Sequence, residues 1–139
     1  EYSGPRPWSE RETRIARQLI LRVRPDVTIW YHQPQNLVRA WGQSRAKARR
    51  YATLAGERYG SIRWPRGTGP NWQNHTFPGT ASFVVELPAG ELADARAARH
   101  ARAVRRLLVP SPALRRASRP RMLLRAPRGR STAGPPPPR

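Results

Sequence analysis

Ala81-Ser82-Phe83-Val84-Val85-Glu86-Leu87, stopped by Pro88, is the stretch on which the fold turns. Its centre is aromatic and β-branched and shows little polar alternation, the pattern of a strand covered on both faces. Val27-Thr28-Ile29-Trp30-Tyr31-His32 reads as a second strand of the same kind, ended by Pro34. Working outward, Ser9-Glu10-Arg11-Glu12 has the spacing of a capping box. The helix it opens carries Ile15, Ala16, Leu19, Ile20 and Val23 on one stripe and stops at Pro25. A second helix is expected from Ser44 to Arg58, burying Ala48, Tyr51, Ala52 and Ala55, with Gly60 as its terminator. Ser61 to Thr80, dense in Gly, Pro, Trp and Asn, is expected to be a loop. The last helix runs from Glu91 to Leu107, with Ala95, Ala98, Arg102 and Leu108 near one face.

The order helix, strand, helix, strand, helix implies parallel strands joined by helical crossovers. Two buried strands do not make a stable sheet, so part of the sheet is expected to be absent. The fold class is therefore α/β, a partial three-layer sandwich with a parallel or mixed sheet flanked by helices. The chain starts at Glu1 without a signal-peptide pattern, and the expectation is that it lacks its true N-terminus.

Of 139 residues, 27 are Lys or Arg and 8 are Asp or Glu, a formal charge of +19. That total suggests a nucleic-acid binder, but the charge is unevenly placed. From Arg96 to Arg139 there are 13 arginines and no acid, whereas the first 95 residues carry a net charge of only +6. Half of the 16 prolines lie in the same C-terminal stretch. Beyond Leu108 the apolar content is too low to offset the entropy of ordering, so residues 108–139 are read as a disordered Arg/Pro-rich tail. No aromatic interleaves its arginines, as single-strand binders require. Cysteine is absent, which excludes disulfides and thiolate metal sites. No apolar run approaches the roughly 20 residues of a membrane span.

In open parallel sheets ligands sit beyond the carboxyl ends of the strands. His32 ends the first strand and Glu86 lies near the end of the second, so parallel neighbours would bring both to one rim. An acid within a buried strand is costly unless paired or functional. Glu86 is thus either a structural acid bonded to an arginine or a working carboxylate. His32 is either a hydrogen-bonded strand-end imidazole or a ligand. His75, in the loop, and His100, on a basic helix, carry no motif. No Gly-rich phosphate loop, nucleophile elbow or His-Glu-x-x-His motif occurs.

The Ser9-Glu10-Arg11-Glu12 start, Tyr31-His32-Gln33-Pro34, and Gly79-Thr80 running into the Ala81–Pro88 strand together resemble the zinc carboxypeptidases. The nearer branch is the bacterial one that includes murein peptide amidases. The resemblance spans Tyr2 to Leu107, and residues 1–107 are read as the C-terminal portion of such a domain. It implies a mixed eight-stranded sheet and one zinc held by two histidines and a glutamate. By position His32 matches the second zinc histidine, and Glu86 the general base that takes a proton from the zinc-bound water. Asn71 and Trp72, in Gly69-Pro70-Asn71-Trp72, resemble an Asp-Trp step of the substrate pocket, with Asn71 replacing the acid. The resemblance departs at the first zinc motif, His-x-x-Glu, which does not occur: Gln35, Pro78 and Ala103 lie three after the histidines. No tyrosine lies between Gly60 and Glu86 to match the family's substrate phenol.

The expected function is zinc-dependent hydrolysis of a peptide or peptidoglycan-derived peptide, with further zinc ligands expected from outside this chain. Arg58, Arg63 and Arg66, with no acid from Arg58 to Val85, favour acidic or apolar substrate ends; Trp64, Trp72 and Phe77 would wall an apolar pocket. The alternatives are a non-catalytic basic protein binding nucleic acid through Arg115 to Arg130, and a folded remnant without activity.

Overall fold

A computed structural model of the chain describes residues 4–60 and 67–109. Its centre is β3, Ala81–Pro88, which has β1, Val27–His32, on one side and β2, Gln35–Arg39, on the other. β1 runs parallel to β3, from Val27 opposite Ala81 to His32 opposite Glu86. β2 is antiparallel to β3 and places Leu37 opposite Glu86 and Arg39 opposite Val84. The sheet is therefore mixed, and the crossover order inferred from two strands omitted β2. Gln-Asn-Leu-Val-Arg has only two apolar residues, and it becomes a strand because Leu37 and Val38 are buried against β3.

Three helices layer the sheet. α2 (Arg45–Ala55) and α4 (Asp94–Leu108) cover one face, where Tyr51, Ala52, Ala55, Ala103 and Leu107 close over Val38, Phe83 and Val85. α3 (Gly69–Thr76) packs on the opposite face of β3. The Ser61–Thr80 stretch thus contains a helix, with Pro70 in its first turn, where a missing N–H costs nothing. Residues 61–66, including Arg63, Trp64 and Arg66, lie outside the described residues.

α2 buries the four side chains its spacing predicts. It ends at Gly56, in the left-handed region at φ 67°, rather than at Gly60. α4 turns the other way from its predicted face. His100, Ala103 and Leu107 are buried, while Ala95, Ala98, Arg102 and Leu108 are exposed. The reason lies in Glu57, which draws Arg96 and His100 inward. α1 (Arg11–Val23) begins at Glu10, one residue later than the capping box requires. Ser9 Oγ donates to Glu10 Oε1 instead of capping an amide. Ile20 is buried, but Ile15, Leu19 and Val23 are 50–58% exposed, so the apolar stripe is a helix signature without a covering layer among the described residues. The outer edge of β1 likewise has no strand partner among the described residues. No described helix is long and apolar enough to cross a membrane. Leu108 closes α4, and residues 110–139, with the expected disordered tail and its nucleic-acid reading, lie outside the described residues.

Candidate functional site

Successive strand side chains point to opposite faces, and the sheet sorts its chemistry accordingly. Phe83 and Val85 face the apolar core. Thr28, Trp30 and His32 of β1, Ser82, Val84 and Glu86 of β3, and Leu37 and Arg39 of β2 share the other face. Register then brings His32 and Glu86 side by side: Nδ1 lies 3.1 Å from Oε2. The carboxylate is 1% exposed and the imidazole 73%, so the ring sits at the solvent rim with the acid beneath it. The second oxygen, Oε1, lies 3.0 Å from an Arg39 guanidinium nitrogen, close enough for charge pairing but outside in-line hydrogen-bond geometry. Both readings of Glu86 therefore coexist in one arrangement, since the acid meets an arginine and the rim histidine together. Arg39 escaped the sequence reading because its alignment with Glu86 exists only once β2 is recognised as a strand.

Such a carboxylate can accept a proton from a molecule reaching the rim, and His32 offers it one hydrogen-bonding neighbour. The Arg39 cation supplies the charge a buried acid requires. Gln33, just after β1, donates through Nε2 to the carbonyls of Pro88 and Gly90, both at 2.8 Å, tying the two strand ends together beside the pair.

Asn71 and Trp72 are placed elsewhere. They line a cavity of about 1040 Å³ whose walls include Trp30 but neither His32 nor Glu86. The residues that follow them fix α3 in place. Gln73 donates to Thr28 Oγ1 at 2.8 Å. Asn74 pairs with both backbone groups of Ser82, accepting from its N–H at 3.0 Å and donating to its carbonyl at 2.9 Å. Ser44 Oγ joins Asn74 Oδ1 at 2.7 Å and also accepts the Ser82 N–H. Gln43 Nε2 donates to the carbonyls of Asn74, Phe77 and Thr80. The described part of the Ser61–Thr80 stretch is thus anchored over Thr28 and Ser82, near the starts of β1 and β3, rather than over the His32–Glu86 rim.

His75 is exposed, with its ring edge-on to Trp41. His100 is buried on the far face of the sheet. Its Nδ1 meets the Tyr51 hydroxyl at 2.7 Å, and that hydroxyl meets the Tyr31 hydroxyl at 2.9 Å. Glu57 Oε1 lies 3.4 Å from its Nε2, and Arg96 holds the same carboxylate at 2.7 and 3.0 Å. Burial pushes the His100 pKa down, Glu57 opposes the shift, and Arg96 and Arg99 reinforce it. Burial, then the hydrogen bond with Tyr31, pushes the Tyr51 phenol well above its ordinary range. This chain of polar side chains was not legible in the sequence, because its members lie 20 to 49 residues apart.

No family model and no curated protein matches the chain. Among solved structures it is similar to the murein-tripeptide amidase MpaA from Escherichia coli O157, at 19% identity and a TM-score of 0.54. The match covers 76% of this chain and 42% of the amidase, so this chain spans about two fifths of its neighbour's length. Over the part that matches, the two share a fold.

Proposed function

We propose that the His32–Glu86 pair is the proton-handling part of a hydrolytic site acting on a peptide or amide bond. The observation that carries this reading is the 3.1 Å contact between a rim imidazole and a buried carboxylate at the C-terminal ends of parallel strands. The fold shared with a peptide amidase and the sequence resemblance to zinc carboxypeptidases support the same class. Zinc, which that resemblance implies, is not fitted by these residues alone. Among the described residues no group of three His, Asp or Glu side chains could hold a metal, and His32 already turns Nδ1 toward Glu86. Any metal would need ligands from outside them.

The chemistry of this chain is proton transfer. Glu86 takes a proton from water as the water oxygen bonds to the substrate carbonyl carbon. It then gives that proton to the amine as the C–N bond breaks. Arg39 holds the carboxylate in place during both transfers, and His32 defines the edge at which water and substrate arrive.

The test is to titrate zinc into the chain, following histidine ring signals by NMR, beside an assay of murein-tripeptide hydrolysis. The chain alone is expected to bind zinc at His32 more weakly than about micromolar, an affinity worth roughly 8 kcal/mol, and to show no turnover. Joined behind the part of the amidase that it does not span, it is expected to hydrolyse the peptide, with the activity lost in Glu86→Gln. A folded, zinc-loaded chimera that is inert, or one still active as Glu86→Gln, refutes the reading.

A further inference from the structure

Four of the chain's five tryptophans converge on one cavity of about 1040 Å³: Trp8, Trp30, Trp41 and Trp72. Its walls are braced. Trp30 donates from its indole N–H to Ser82 Oγ at 2.8 Å, and its ring lies so close to Gly69 that a Cβ there would come within 2.9 Å of it. Trp8 and Trp72 pack edge to face, with centroids 4.9 Å apart and planes at 79°. Trp41 stands at 83° to His75. Trp8 and Trp72 therefore form a corner and not a pair of parallel faces between which a flat base would stack.

The polar groups narrow the ligand further. Arg6 and Arg17 line the cavity, and so do Glu10 and Glu12, leaving it without net formal charge from these groups in a chain that carries +19 overall. Asn71 adds an amide that can both donate and accept. The volume is that of a ligand site rather than of a single side chain, for which about 300–1,000 Å³ is usual.

We infer that this cavity binds a neutral pyranose saccharide of two or three rings. A pyranose is puckered, so it fills a corner of aromatic walls better than a parallel slot. Its C–H faces are apolar and suit indole surfaces, while its equatorial hydroxyls need carboxylate acceptors and guanidinium and amide donors together. Glu10 and Glu12 oppose a phosphorylated ligand as much as Arg6 and Arg17 attract it, so the balanced set suits a neutral one. The inference stands apart from the hydrolytic proposal, because neither His32 nor Glu86 lines the cavity.

The experiment titrates the full chain with cellotriose and with triacetylchitotriose, by calorimetry and by tryptophan fluorescence, with adenosine monophosphate as the flat anionic comparison. Saturable binding of at least one trisaccharide, with a change in tryptophan emission, is expected. Trp41→Ala is the main variant, because that side chain is 46% exposed and its loss leaves the core intact. It should weaken binding about tenfold, the scale of one aromatic contact. Trp72→Ala, checked for folding by circular dichroism, should do the same. The inference is overturned if neither trisaccharide saturates below about 10 mM. It is equally overturned if Trp41→Ala binds unchanged, or if adenosine monophosphate binds as tightly as the sugars.

Discussion

Arg39→Met is the most informative single change in this protein. Glu86 is 1% exposed and Arg39 14%, at 3.0 Å, so the substitution leaves a buried carboxylate without its guanidinium. At an effective dielectric of about 20, two unit charges at that distance attract by about 5 kcal/mol. Breaking a fully buried pair costs about 3–5 kcal/mol. Here the partial exposure of Arg39 and the neighbouring His32 soften the loss, and a destabilisation of about 3 kcal/mol is expected. For a body of this size that corresponds to roughly 12–24 °C in Tm. Urea denaturation at pH 7, followed by far-UV circular dichroism, measures it, with the slope expected to stay constant. The double variant Arg39→Met/Glu86→Leu removes both charges and should return to within about 1 kcal/mol of the parent. If Arg39→Met costs under about 0.5 kcal/mol, or the double variant is as unstable as the single, Glu86 is not held by charge compensation and the reasoning fails.

Three further outcomes follow from the packing. His100 has a lowered pKa in the fold, from burial first, with Glu57 opposing and Arg96 and Arg99 reinforcing, while Tyr51 contacts the ring as a neutral phenol. The unfolded chain, titrating at about 6.5, binds the extra proton first, so stability should fall as pH drops through that value; a urea midpoint equal at pH 7.5 and pH 5 contradicts this. Asn74→Ala removes both bonds to the Ser82 backbone and the partner of Ser44. It should cost about 2–3 kcal/mol and speed hydrogen exchange across α3, and unchanged exchange there would show that the helix is held by something else. Gly69→Ala drives a methyl into the Trp30 ring and should cost about 1–2 kcal/mol by overpacking; an unchanged Tm would mean that the ring moves freely.

How much was legible depended on whether the deciding partner was local. The Ala48, Tyr51, Ala52, Ala55 spacing identifies α2 and its buried side without reference to anything else. His32 and Glu86 could be placed on one rim because strand ends and a two-residue alternation are local properties, and the observed register agrees. α1 shows the limit of periodicity, since Ile15, Leu19 and Val23 mark a helix stripe but not whether anything covers it. α4 was given the wrong face because its inward side is chosen by Glu57, 39 residues from Arg96, and not by its own apolar residues. β2 was missed for a related reason, as two apolar residues in five become a strand only against β3. With β2 went Arg39, the counter-charge on which the candidate site depends.

The placement of β3 between its two neighbours has a consequence for synthesis. β1 and β2 do not pair with each other, although only Gln33 and Pro34 separate them, and among the described strands each pairs with β3, β2 adding one bridge from Val38 to Tyr59. His32 precedes Glu86 by 54 residues. At translation speeds of about 5–20 residues per second, the first two strands leave the ribosome several seconds before the strand that joins them. Until then α1 and α2 can form, but the sheet cannot, because loop closure over such distances precedes any reward in contacts. The His32–Glu86 pair therefore waits for β3, the contacts of α4 come later still, and a nascent chain arrested before Ala81 should carry helices without the three-stranded sheet.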